Sequence, residues 1–408
     1  MYAKAGSFTC PASAATDTVV SGLGFTPKAI IFLTSGLTAE GYRANAEMCL
    51  GFTAGPAAGQ NAYQYSRAID NVSTTDNSTA GATGLCIRAI AGTMAGLLKS
   101  FDTDGFTIDW TAVTSGAIVY YLALGGPDLT NAEVVEFTSE TVTGNHSYAS
   151  SFKPDFAIFL LDDGVGASGG HFSCGVAKSP TERWAYGHSG RHLATMTASI
   201  DANRNQRADR CILEVGVAGT NEFAADLVSF DATPGFTLNW ITVTTFSPQP
   251  LFRALLLKGG SYAVGNNAKP TGAATANQDI SGFGFNPAAV FLFAFGLAAN
   301  TAVVADAEFS AGFSDGTNHL ADWQESRDAL LPTEANSSQI TGQALRLATG
   351  PSTTDAQCNA SLTAVVGGIR LPWTTNNAVA SQICYAAFGP LDAGPFPPWL
   401  NRVFKKAA

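Results

Sequence analysis

The 408-residue chain is short of charge: only 13% of its residues are Asp, Glu, Lys or Arg. Amphipathic helices draw their solvent faces from those residues, so the chain is poorly supplied for a helical fold. Bases are the scarcer sign, 22 against 32 acids, for a net charge of −10. That argues against a nucleic-acid partner, which calls for a basic stripe to displace counterions from phosphates. The seven cysteines include no CxxC pair and are too few for a disulfide scaffold in a chain of this length. No run approaches 18 uninterrupted apolar residues, so no membrane span is expected. The opening MYAKAGSFTC has no basic segment leading into an apolar run, so no secretory signal is expected either.

What is abundant is glycine, 42 residues, together with Ser, Thr, Ala and Asn, against a hydrophobic content of 46%. This composition suits short strands joined by tight turns. The length allows two to four domains.

One short phrase recurs. GFTPKAIIFL from Gly24 returns as SFKPDFAIFL from Ser151 and GFNPAAVFLF from Gly284. Its prolines, Pro27, Pro154 and Pro287, stand 127 and then 133 residues apart. A second phrase keeps step: GFTIDW, GFTLNW and GIRLPW close at Trp110, Trp240 and Trp373, spaced 130 and 133. A third follows, ending at Gly126, Gly260 and Pro390. Solenoid repeats run at roughly 20–50 residues, so a period this long means tandem domains.

Each unit reads as β. Phe106, Ile108 and Trp110 share one strand face while Thr107 and Asp109 take the other, a period of two repeated at Phe236, Leu238, Trp240 and at Ile369, Leu371, Trp373. The unbroken apolar runs 29–33 and 117–124 read as central strands covered on both faces. Proline fixes its own φ and has no amide donor, so it belongs where a strand begins. The resulting expectation is an all-β chain of three tandem, jelly-roll-like β-sandwich domains, 1–127, 128–260 and 261–390, followed by an extended tail, 391–408. Cys49 and Cys86 lie 37 residues apart, as do Cys174 and Cys211. This suggests side chains touching on neighbouring strands, as packed free thiols or as disulfides, with free thiols favoured because no export is expected.

No constellation reads as catalytic. Ser168 in GASGG matches a nucleophile elbow, but the segment that follows reads as a strand where the elbow needs a helix. His146, His171, His188 and His192 cluster in the second repeat without the Glu spacing of a zinc hydrolase, and read as loop or partner-contact residues. Asp201, Asn203 and Asn205 resemble the start of a calcium loop but lack its glycine and glutamate, so a hydrophilic loop is expected. Ser66-Arg67 and Ser326-Arg327 stand at matching places in repeats 1 and 3, as a repeated surface or ion-pair feature. Asp162-Asp163 and Asp102/Asp104 lie in turn-like settings, not facing a groove. No cofactor, metal site or enzymatic activity is expected.

The tail is different. Its prolines 395, 397 and 398 hold it extended, and it offers Phe396, Trp399, Leu400 and Phe404 among Arg402, Lys405 and Lys406. With one acid, Asp392, it carries +2 beneath an acidic body. An aromatic, basic strip of this kind suits docking on a partner.

The set GFTPKAIIFL, SFDTDGFTIDW and YYLALGG, in that order, resembles a recurrent β-rich domain of tailed-bacteriophage structural proteins, here in three copies covering nearly the whole chain. Repeat 3 departs from it at GIRLPW, which lacks the Ser-Phe-Asp lead-in. The resemblance implies a virion protein, made in the host cytoplasm, whose partners are other virion proteins and which is oligomeric in the particle; it transfers no catalytic residues. Capsid decoration through the tail is the first expectation. A tail- or fibre-associated receptor- or carbohydrate-binding module is the second, with Tyr63, Tyr65, Trp184 and Tyr186 as candidate platforms for a surface glycan.

Overall fold

The computed structural model of the chain describes residues 1–73, 77–89, 93–162, 169–191, 202–246, 248–272, 276–298, 302–328, 330, 332–347 and 358–391. Among these there is no α-helix, only a single 3₁₀ turn at Ala58–Gln60, and so no helix long and apolar enough to cross a membrane.

Repeat 1 supplies β1 (Tyr2–Thr9), β2 (Thr18–Ser21), β3 (Pro27–Thr34), β4 (Gly41–Ala44), β5 (Ala46–Thr53), β6 (Asn61–Ala68), β7 (Asn77–Thr83), β8 (Ile87–Ala89), β9 (Met94–Asp102), β10 (Gly105–Ala112) and β11 (Ile118–Gly125). Repeat 2 supplies β12 (Asn131–Thr138), β13 (Gly144–Ala149), β14 (Phe156–Asp162), β15 (Gly169–Ala177), β16 (Arg183–Arg191), β17 (Ala202–Arg207), β18 (Ile212–Val215), β19 (Asn221–Asp231), β20 (Gly235–Thr242) and β21 (Leu251–Lys258). Repeat 3 supplies β22 (Ser261–Ala268), β23 (Asn277–Ser281), β24 (Ala289–Ala294), β25 (Val304–Ala305), β26 (Ala307–Ser314), β27 (His319–Ser326), β28 (Ala335–Thr341), β29 (Leu345–Leu347), β30 (Cys358–Ala360), β31 (Thr363–Val365), β32 (Gly368–Thr375) and β33 (Gln382–Gly389).

Each repeat builds a large sheet and a small one. In repeat 1 the large sheet runs β1-β11-β3-β5-β6-β7 and the small one β2-β10-β9-β8, and repeats 2 and 3 follow the same plan. Because β3, β5, β6 and β7 succeed one another as hairpins, the order is not the two interleaved Greek keys expected of a jelly roll. The small sheet covers one face of the large one: Phe106, Ile108 and Trp110 pack with Ile30, Phe32 and Val119. Repeats 2 and 3 do likewise around Trp240 and Trp373. Each recurrent phrase enters a central strand, β3 at Pro27 itself, β14 and β24 two residues after Pro154 and Pro287.

The other face of each large sheet does not meet solvent. Ile31, Leu50 and Phe52 of repeat 1, Ile158, Phe172 and Trp184 of repeat 2, and Phe291, Phe309 and Phe388 of repeat 3 belong to one shared core. Alternate residues of β3 therefore serve two cores, which is why its sequence is apolar throughout. The sequence led us to expect separate sandwiches; instead the three repeats close around a common interior. Burying each large side chain there contributes roughly 1.5–3 kcal/mol.

A glycine fixes the equivalence of positions. A Cβ on Gly51, Gly175 or Gly312 would land on the carbonyl oxygen of Cys86, Cys211 or Ala344, the same close approach between the two sheets in each repeat. Across the ladder these glycines face Tyr63, Ala185 and Ala321. Gln64, Tyr186 and Asp322 are then one position, and each reaches into the next repeat. Gln64 Nε2 donates to the His171 carbonyl (3.1 Å), Tyr186 Oη donates to the Glu308 carbonyl (2.6 Å), and Asp322 accepts from the Ser35 hydroxyl. Repeat 1 thus grips repeat 2, repeat 2 grips repeat 3, and repeat 3 grips repeat 1. Such a head-to-tail ring closes, giving a pseudo-threefold axis within one chain.

Strands are exchanged as well. β4 of repeat 1 pairs with β28 of repeat 3, and β25 of repeat 3 pairs with β17 of repeat 2. The corresponding segment of repeat 2, 163–168, lies outside the described residues.

Candidate functional site

The two ends of the pseudo-threefold body differ. At one end the chain's connections gather. The Met1 ammonium pairs with Asp128, which also accepts the Leu391 N–H at 3.3 Å. The hydrogen bond from that ammonium, ahead of all other causes, holds the Asp128 carboxyl below its usual range. Met1 packs against Gly260, and Lys28 reaches the Leu129 carbonyl. The N-terminus, both links between repeats and the departure point of the tail therefore share one face. Beside it a cleft of about 740 Å³ opens between repeats 2 and 3, lined by Lys153, Asp155, Lys178, Phe230, Tyr262 and Leu391 among others. The docking residues expected from sequence, Phe396, Trp399, Leu400, Arg402, Phe404, Lys405 and Lys406, lie outside the described residues.

At the opposite end, where β5, β15 and β26 begin, a small pocket sits on the axis. Its rim includes Ala46, Gly170 and Ala307, and its lining Ser66, His188 and Gln324, one residue of each set from each repeat at equivalent positions. Gln324 Nε2 donates to Ser66 Oγ at 2.7 Å. The His188 ring stacks on Phe172 with centroids 5.0 Å apart, and its Nδ1 has no hydrogen-bond partner among the described residues. Burial, reinforced by His171 and Arg204, pushes the imidazole down to about 3 and keeps it neutral.

A compact polar group lies in the interior of repeat 2. His171 Nδ1 is 2.8 Å from Glu214 Oε1 and 3.8 Å from Glu222 Oε2, and the ligand-type atoms of the three lie within 4.8 Å of one another. Each of these residues is also engaged elsewhere, so the trio is part of a wider, largely buried polar network.

Several sequence expectations need correction. His171 and His188 are not loop residues but buried strand residues of β15 and β16; His146 sits beside Glu140 at 3.3 Å, and His192 lies outside the described residues, as do Ser168, Asp163 and Asp201. Asn203 and Asn205 are not in a hydrophilic loop: they belong to β17, 1% exposed, between β16 and β25. Tyr63, Tyr65, Trp184 and Tyr186 are buried within β6 and β16, so they present no stacking platform to a sugar. Ser66-Arg67 and Ser326-Arg327 are two residues out of step, since Ser326 takes the place of Ala68 and Gln324 that of Ser66. All seven cysteines are free and buried; Cys174 lies in the shared core and Cys211 in the outer core of repeat 2, on opposite faces of the large sheet. Burial pushes the Cys10 and Cys49 thiols up to about 12, which makes them poor nucleophiles.

Sequence reasoning missed the axial positions. In NAYQYSRA the polar residues Gln64 and Ser66 alternate with Tyr63 and Tyr65, a period-two signal of a distinct face. Nothing local says that this polar face is the buried one, because the groups it meets lie in other repeats. No protein-family model and no curated protein matches the chain.

Proposed function

We propose that the protein is a non-enzymatic structural component of a bacteriophage virion, a capsid decoration or similar surface module that mounts through the end from which its tail departs. The observation that carries this reading is the convergence of Met1, both inter-repeat links and Leu391 on one end of a body with pseudo-threefold form. A single chain of this form imitates a trimer, and so matches a local threefold position on a particle surface. The tail then begins, after Leu391, on the side facing the particle, and its aromatic and basic composition suits an acidic or apolar surface beneath. The buried, high-pKa thiols suit a durable module better than a reactive one.

Purified capsids and purified tails should be incubated separately with the full chain and with the chain ended at Gly389. Capture on capsids that disappears on truncation is the expected result. Capture on neither particle contradicts the reading. A second reading, a tail- or fibre-associated receptor- or carbohydrate-binding protein, draws on the 740 Å³ cleft between repeats 2 and 3. Capture on tails together with binding on a glycan array favours it instead.

A further inference from the structure

We propose that the axial pocket floored by Ser66, His188 and Gln324 binds one monoatomic anion, a halide such as chloride, which pins the three repeats together where their axis leaves the molecule.

Size comes first. The pocket holds about 20 Å³, enough for one water-sized particle and too little for an oxyanion or an organic ligand. Its rim residues are small on every side, Ala46, Ala68, Gly170, Gly190, Ala307 and Ser326, which leaves a narrow approach.

The lining supplies donors from all three repeats. Ser66 Oγ accepts from Gln324 Nε2, so its own proton is free to turn toward the axis, and the amide keeps a second N–H. His188 is 7% exposed, lines the pocket, and has an Nδ1 without a partner among the described residues. Buried polar atoms left unpaired cost about 1–3 kcal/mol each, so an occupant that engages them is favoured.

The sign follows from the donors, a hydroxyl and an amide N–H turned toward the axis. At His188 burial, ahead of His171 and Arg204, disfavours the imidazolium, and those two groups are in turn met by Glu214 at 2.8 Å and Glu308 at 3.9 Å. The one carboxyl of the lining, Glu325, is met by Arg327 at 2.9 Å and by Asn336 at 3.2 Å. Burial pushes that carboxyl up to about 8, so it offers little negative charge at neutral pH. One neutral imidazole, one amide and one hydroxyl also make a poor ligand set for a divalent metal.

The test is diffraction at the bromine absorption edge from crystals of the full chain grown in sodium bromide, with thermal unfolding in sodium chloride and in sodium gluconate at equal ionic strength. An anomalous peak among Ser66, His188 and Gln324, with an unfolding temperature about 1–3 °C higher in chloride, is expected. Ser66→Ala should shrink the chloride effect and His188→Phe abolish it; if His188→Phe does not fold, Ser66→Ala carries the test. Density without anomalous signal means a structural water and overturns the proposal. A bromide peak with no halide-dependent stability means binding at crystal concentration only and overturns it too.

Discussion

The face of each large sheet that meets its small sheet and the face that meets the axis differ in how far the three repeats agree. On the outer side Trp110, Trp240 and Trp373 occupy one position, and each indole N–H donates to the first strand of its small sheet or hairpin, to Thr18, Tyr148 and Gln278 at 2.9, 2.8 and 3.1 Å. On the axial side equivalent positions hold Leu50, Cys174 and Ala311, or Ala62, Trp184 and Leu320. An outer core is filled by its own repeat, so every copy can keep the same solution. The axis is filled by three copies at once, and a large residue such as Trp184 packs there against Phe293 and Phe295 of the next repeat. Repetition is retained where the copies are independent and lost where they share space.

The comparison can be broken most severely by separating the copies. Residues 128–260 expressed alone should aggregate or lack a cooperative unfolding transition, because the inner face of β14, β15 and β16 loses its cover. A soluble, cooperatively folded single repeat would refute the shared core. Within the full chain, Trp373→Ala should cost roughly 3–5 kcal/mol by chemical denaturation. The loss should appear as a lower midpoint for the whole molecule, since the outer cores and the axis unfold together.

A smaller change isolates the axis. Gln64 Oε1 accepts the N–H groups of Leu161 and Ser173 at 3.3 and 3.2 Å, where β14 and β15 have stopped pairing. Gln64→Ala orphans both and should cost roughly 1–3 kcal/mol, whereas Tyr186→Phe, which removes one hydrogen bond, should cost about 1 kcal/mol. Equal effects of the two would argue against the ring of contacts described above.

The last test is one of pH. Burial outweighs Arg327 and pushes the Glu325 carboxyl up to about 8, so the folded chain holds a proton that the unfolded chain sheds in the ordinary carboxylate range. Between those limits the unfolded state binds fewer protons, and stability falls as pH rises. The contribution is complete below the ordinary range and gone above about pH 8. Glu325→Gln should flatten that slope in a denaturation series from pH 5 to about 8; an unchanged slope would mean the group is not responsible.

Much of this architecture was legible in the sequence. The Pro and Trp phrases gave the number and length of the repeats, and the alternation of Phe106, Ile108 and Trp110 gave their inward face. The apolar run of β3 announced burial on both sides without saying what lay beyond the second side. That partner is more than a hundred residues away, as for Gln64 and His171, and no local period encodes it. The same limit hid the axial pocket, whose three polar residues are unremarkable in their own strands. It also made buried tyrosines look like surface platforms, since nothing in NAYQYSRA announces Arg88 of β8, which lies over the Tyr63 ring.

Small-angle scattering of the full chain tests the central claim most directly. A single closed body of 408 residues should give a radius of gyration near about 22 Å, with a compact distance distribution. Three tandem domains strung on their links would give a value above about 30 Å, and that result would contradict the shared core and the pseudo-threefold axis alike.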